Sequence, residues 1–152
     1  MGDLADSEVF SAFATYATIV ILKVMFMAPL TAYFRMTRKA FSNIEDTWHG
    51  KTPEEKKRML QVNPDVERVR RCHLNDLENV IPFVLVGLLY ALTGPDLPAA
   101  LLHFRVFVAS RFCHTVAYIA ALPQPSRALS FFVGLGATLS MAYRVLSTSL
   151  VL

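Results

Sequence analysis

Polar side chains recur on one face of a segment that continues into an apolar run. Between positions 68 and 82 they are spaced by 3, 4, 3 and 4 residues: Arg68, Arg71, Asn75, Glu78 and Pro82. On a helix this spacing forms one stripe. A charge at the centre of a membrane helix costs about 2.5 to 3.5 kcal/mol on insertion scales. The stripe must therefore face protein, water or a polar ligand.

The elements that hold this stripe are predicted to be membrane helices. The chain has 152 residues, of which 54% are hydrophobic, and its 18% of charged residues cluster between apolar runs. This pattern predicts an all-α fold, an integral membrane four-helix bundle forming one domain over 1–152. The predicted helices span about 9–34, 65–92, 97–122 and 126–146, and a polar loop covers about 35–64.

The long polar connection sets the predicted topology. Residues 35–71 contain ten basic and six acidic residues, whereas the N-terminal segment is acidic. Positive-inside reasoning places the loop in the cytosol and the N-terminus across the membrane. Within the loop, Thr52 followed by Pro53 predicts the start of a short helix.

Several constellations that carry other chemistries are missing from the sequence. The two cysteines, Cys72 and Cys113, form no zinc-binding spacing, and no Ser/His/Asp triad or phosphate loop occurs. We therefore expect no metal site, and hydrolase and nucleotide-binding functions have no support. Because the basic residues are explained by topology, no nucleic-acid partner is expected.

The predicted topology brings polar groups of all four helices into one layer near the cytosolic face. Arg35 ends the first helix, His114 and Tyr118 end the third, and Arg127 opens the fourth near the depth of Asn75. Several Arg combined with one Glu, Asn, His and Tyr suit a small zwitterionic ligand.

Simpler interpretations of the same residues stay open. Glu78 suits an interhelical salt bridge as well as it suits a ligand, and Arg70 with Arg71 suits a membrane-surface patch. His73 lies off the stripe, and Lys23 suits a structural ion pair with a carboxylate such as Asp76. In the fourth helix, the small residues spaced by four from Ser130 allow either intrachain packing or a subunit contact.

The start of the second helix resembles the signature of the membrane-associated proteins in eicosanoid and glutathione metabolism. The pattern is Glu67-Arg68-x-x-Arg71-x-His73-x-Asn75-Asp76-x-Glu78, and the resemblance continues in residues 38–46, 114–118 and 122–134. It implies a homotrimer that holds glutathione between subunits near the cytosolic side.

The resemblance also assigns roles to individual residues. It implies that glutathione, as co-substrate, is contacted by eight side chains: Arg35, Arg70, Arg71, His73, Asn75, Glu78, His114 and Tyr118. It implies that Arg127 lies near the sulfur and favours the reactive thiolate, and Tyr118 is the second catalytic candidate through a hydrogen bond to sulfur. A free thiol has a pKa of about 8.5, so a nearby cation increases the ionised fraction at neutral pH.

Within the family, the chain is more similar to the glutathione transferases than to the prostaglandin E synthases, which carry Arg at the position of Leu74 and Ser at the position of Ala128. The implied activity is conjugation of glutathione to hydrophobic electrophiles from the bilayer, with reduction of lipid hydroperoxides. The implied location is the endoplasmic reticulum membrane, multi-pass, or the mitochondrial outer membrane.

Two alternatives remain at this point: a glutathione-dependent prostaglandin E synthase-type isomerase, and a non-catalytic lipid-binding scaffold like the family's lipoxygenase-activating protein. Thr47 stands where the transferases usually carry a first-loop Cys, and this departure leaves activation by thiol modification an open question for this chain.

Overall fold

A computed structural model describes residues 7–149 as helices joined by short connections, without strands in that range. A 3-10 turn lies at Ile44–Thr47. The helices, in chain order, are α1 (Glu8–Arg38), α2 (Pro53–Met59), α3 (Pro64–Leu92), α4 (Leu97–Ile119) and α5 (Ser126–Ser149). The predicted all-α class is confirmed. Asp3 and Asp6, which contributed to the topology prediction, lie outside the described residues.

Side-chain caps fix where the helices begin. The Thr52 hydroxyl accepts a hydrogen bond from the Glu55 N–H at 3.2 Å, and Pro53 occupies the first turn of α2 as predicted. The Asn63 side chain caps α3 in the same way, accepting from the Asp65 N–H at 3.0 Å.

Three helix ends differ from the predicted ones. α1 continues to Arg38 rather than ending at 34, because Lys39 adopts a left-handed conformation (φ 49°) and Ala40 donates to the Arg35 carbonyl at 3.1 Å. α4 stops at Ile119 rather than 122, since Ala121 is also left-handed (φ 54°). α5 extends from 146 to Ser149.

Three segments are long and apolar enough to cross a membrane: α1, residues Pro53–Leu92 ending with α3, and α5. The helix α4 is not among them, because two arginines and two histidines lower its hydropathy. Each of these side chains has a polar contact within the bundle; His103 bonds Ser140, and the Arg105 Nε donates to the Tyr16 hydroxyl at 2.9 Å. The fourth membrane crossing stays a prediction.

The long helices pack around an aromatic core. Phe83 of α3 stacks on Phe107 of α4 with ring centroids 3.8 Å apart, and Phe13 of α1 lies against Phe104 at 5.8 Å. Small residues admit close approach: a Cβ on Gly134 of α5 would lie 2.6 Å from the Ser110 hydroxyl. The Ser130–Gly134–Thr138 stripe is buried inside the chain, so its packing is intrachain.

Candidate functional site

A cluster of charged residues lies at the centre of the bundle. The carboxylate of Asp76 on α3 is fully buried and pairs with Lys23 of α1 through one oxygen and with Arg111 of α4 through the other, at 2.9 Å. The predicted structural pairing of Lys23 with Asp76 is confirmed. We name these three residues the ionic centre; they join three helices, and one carboxylate is shared between two cations.

Arg111 connects the ionic centre to two of the predicted site residues. Its Nη2 donates to the Asn75 side-chain oxygen at 2.8 Å and lies 3.1 Å from the His114 Nδ1. Within the described part of the chain, its Nε and Nη1 have no hydrogen-bond partner although the side chain is fully buried. Arg111 therefore holds Asn75 and His114 in place while keeping donor capacity.

A row of three side chains leads from this network to the start of α5. The His114 ring lies 5.5 Å from the Tyr118 ring, and the Arg127 guanidinium lies 4.8 Å from the centroid of the Tyr118 ring. Such a cation–π contact is worth about 0.5 to 1 kcal/mol at exposed sites and more when desolvated. We name His114, Tyr118 and Arg127 the polar row. It places the two predicted catalytic residues in contact with each other.

A second group of predicted residues lies on the other side of α3, facing α1. Arg35, Arg70 and His73 line a cavity of about 410 Å³ between the two helices. Its remaining lining is small or apolar: Ala28, Thr31, Ala32, Leu74 and Leu77. An anionic group with an apolar neighbour could be held here by the two arginines.

Arg71 and Glu78 lie apart from both groups. Both are exposed in the single chain, and their spacing of four residues before and three after Asn75 places them on the same helical stripe as Asn75. The structure thus links Asn75 and His114 through Arg111 and continues from His114 to Tyr118 and Arg127. It gathers Arg35, Arg70 and His73 at a second cavity and leaves Arg71 and Glu78 exposed.

Arg111 is the residue that sequence reasoning left out of the candidate site. Its helical spacing with His114 and Tyr118 was the available signal, but spacing on one helix does not show which residues of the next helix it meets. In residues 7–149, no group of three or more His, Cys, Asp or Glu side chains is arranged to hold a metal ion.

The bundle and its polar end define a helical membrane protein of one family. The model of the MAPEG family matches residues 13–147, so the chain belongs to the MAPEG family. It is similar to microsomal glutathione S-transferase 1 from Sus scrofa, with 57% identity over 150 residues, covering 99% of this chain and 97% of that protein. The human protein of that name is 58% identical over 147 residues, covering 97% and 95%. Human prostaglandin E synthase is 35% identical over 141 residues, covering 93% and 90%.

Proposed function

We propose that this protein is a membrane-bound glutathione transferase, a single transmembrane domain whose connection between α1 and α3 is cytosolic. Two observations support the proposal together. The first is the near full-length similarity to microsomal glutathione S-transferase 1. The second, which carries the chemistry, is the polar row, because it holds the Arg127 cation over the Tyr118 ring at one end of the bundle.

The proposed reaction requires a thiolate, and Arg127 is the group proposed to favour it. A full positive charge near the sulfur in a site of reduced dielectric stabilises the anion more than the half charge of the α5 N-terminus, which contributes about 0.3 to 1 kcal/mol. The sulfur then forms a bond to the electrophilic carbon, and the leaving group departs with the electron pair. Tyr118, in contact with Arg127, is proposed as a hydrogen-bond donor to the same sulfur.

The proposed glutathione contacts occupy two sides of α3, which supports a site shared between subunits of a homotrimer. Arg70 and His73 face α1, whereas Asn75 contacts Arg111 of α4. A fully extended tripeptide spans about 10 Å, whereas a helix with its side chains is about 10 to 12 Å across. Contact with both sets therefore requires a second copy of the chain to supply one of them, and the outward Arg71 and Glu78 would then face that copy.

The trimer has a direct test. Native mass spectrometry of the protein released from mild detergent should show three chains with glutathione bound. A monomer that retains full glutathione affinity and turnover would contradict the shared site.

The proposed second substrates are hydrophobic electrophiles and lipid hydroperoxides that arrive from the bilayer. With a hydroperoxide, the thiolate takes one peroxide oxygen and releases an alcohol, and a second glutathione then yields the disulfide and water. The exposed apolar surface of the three candidate membrane segments supports a bilayer setting. We propose the endoplasmic reticulum membrane as the location.

The transferase proposal is tested by Arg127→Ala, with Arg144→Ala as the matched control on the exposed far end of the same helix. We expect Arg127→Ala to lower turnover with 1-chloro-2,4-dinitrobenzene by about a hundredfold, the scale of losing one preorganised charge-stabilising group. The ultraviolet absorbance of bound thiolate should fall in parallel, while Arg144→Ala keeps both.

Normal thiolate absorbance and turnover in Arg127→Ala would contradict the role of Arg127. In that case Tyr118→Phe becomes the variant expected to lose both signals.

An isomerase activity is the second candidate, supported by the 35% identity to human prostaglandin E synthase. Leu74 and Ala128, which differ from the residues expected in the synthases, argue for the transferase. Incubation with a prostaglandin endoperoxide and glutathione separates the two: rapid formation of the E-type product, faster than conjugation, would favour the isomerase.

A further inference from the structure

A cavity outside the candidate glutathione site lies in the connection between α1 and α3. Its volume is about 700 Å³, within the range of pockets that hold small ligands. The walls come from the end of α1 (37–40), the segment 49–51, the inner side of α2, and residues 61–63. None of its lining residues belongs to the proposed glutathione contacts.

The walls of this loop cavity are held by backbone and capping contacts. The Phe41 N–H donates to the Met59 carbonyl at 2.8 Å and ties the end of α1 to the end of α2. The Lys51 N–H donates to the Glu55 carboxylate at 2.7 Å. Gly50 packs closely under α2, since a Cβ there would meet the Lys56 Cγ at 2.8 Å. The cavity is thus formed by a folded connection.

The lining of the loop cavity is strongly cationic. It carries four basic side chains and the imidazole of His49 against one carboxylate: Arg38, Lys39, Lys51 and Arg58, with Glu55. Arg38 is already paired with Asp65 at 2.9 Å. Within residues 7–149, ion pairs to Lys39, Lys51 and Arg58 are not formed. A concave site lined by one sign of charge concentrates counter-ions.

We propose that the loop cavity is a binding site for a phosphate-bearing anion. Arginine and lysine together suit a multiply charged tetrahedral group, arginine by paired donors and lysine as a point charge. The lining contains no Phe, Tyr or Trp to stack on a base, so a compact phosphate compound fits better than a nucleotide. The cavity lies where α1 ends, and the phosphate can therefore belong to a soluble metabolite or to the headgroup of an anionic phospholipid.

The chain supplies its own reporter for this site. Trp48 is the single tryptophan, and its ring lies 3.3 Å from the ring of His49, a lining residue. The full-length protein in phosphatidylcholine nanodiscs is titrated with inorganic pyrophosphate, followed by Trp48 fluorescence and, independently, by calorimetry. A parallel sample uses nanodiscs that contain phosphatidic acid.

The variant Lys51→Gln/Arg58→Gln removes two lining cations, and Lys56→Gln/Lys57→Gln removes two cations of α2 that do not line the cavity. We expect pyrophosphate affinity to fall at least tenfold in the lining variant and less than twofold in the control, with transferase turnover retained in both. If pyrophosphate binds only in nanodiscs that lack phosphatidic acid, the lipid headgroup occupies the site. If pyrophosphate binds equally in both kinds of nanodisc, the site is assigned to a soluble ligand. The proposal is overturned if neither method detects pyrophosphate or phosphatidic acid, or if both variants lose affinity equally.

Discussion

The two sides of α3 carry acidic residues with opposite surroundings. Asp76 points inward and is fully buried between Lys23 and Arg111, whereas Glu78, two residues later, is exposed. The inward carboxylate has its charge matched by its own chain. The outward one has no such partner among the described residues, although it lies well inside the apolar part of α3. The comparison indicates that ion pairs such as those of Asp76 hold the bundle together. A charge at membrane depth without an ion pair, such as that of Glu78, is available for a ligand or a second subunit.

The largest expected effect is a loss of stability when the buried carboxylate of the ionic centre is removed. Asp76→Asn leaves Lys23 and Arg111 buried as uncompensated cations, and loss of one partner of a buried pair costs about 3 to 5 kcal/mol. We expect a large drop in the midpoint of thermal unfolding in detergent. If Asp76→Asn unfolds at the temperature of the unchanged protein, the ionic centre does not stabilise the bundle.

Substitution of the exposed Glu78 should change glutathione affinity and leave the stability of the protein unchanged. We expect Glu78→Gln to keep the unfolding midpoint but weaken glutathione binding about tenfold, or about 1.4 kcal/mol, the scale of one charge-assisted hydrogen bond. Calorimetric titration of glutathione into the intact assembly measures it, with Glu54→Gln on the exposed side of α2 as control. Unchanged affinity would contradict a role of Glu78 in glutathione binding.

A smaller effect separates buried from exposed positions on α5. Gly134→Ala places a methyl group 2.6 Å from the Ser110 hydroxyl, and we expect a loss of about 1 kcal/mol as the helices adjust. Gly136 has open space around it, so Gly136→Ala should be neutral or slightly stabilising. Equal unfolding midpoints for the two variants would argue against the close α4–α5 approach.

Local signals predicted much of the fold. Apolar runs located the long helices, and Thr52 with Pro53 located α2, because capping is a property of adjacent residues. The end of α1 was misplaced at 34, since the polar residues that follow resemble a loop and the left-handed turn at Lys39 needs no glycine. Helix periodicity predicts which residues share a face of a helix. It does not predict the residue at which the helix ends.

Contacts between helices were harder to predict. The pairing of Lys23 with Asp76 was inferred because few groups at that depth can neutralise each other. The pairing of Arg111 was not inferred from the sequence. Its contacts with Asn75, Asp76 and His114 depend on the register between α3 and α4. The stripe on α3 was expected to face polar surroundings. That the inward carboxylate would be Asp76 and the outward one Glu78 follows from the packing of α1 against α3.

The position of Tyr118 relative to the ends of α1 and α3 has a consequence for how a polar and an apolar substrate meet. Tyr118 and Phe34 belong to the hydrophobic cluster around Val69. From Phe34 and Val69, α1 and α3 continue for four residues, or about 6 Å, to the Arg38–Asp65 ion pair. Tyr118 therefore lies about one helical turn deeper than this ion pair. For the proposed reaction, we expect the water-soluble thiol to approach from the aqueous side, past the ends of α1 and α3, and the hydrophobic electrophile to enter from the bilayer. The bond then forms at the boundary between water and lipid. Neither reactant has to dissolve in the other's medium.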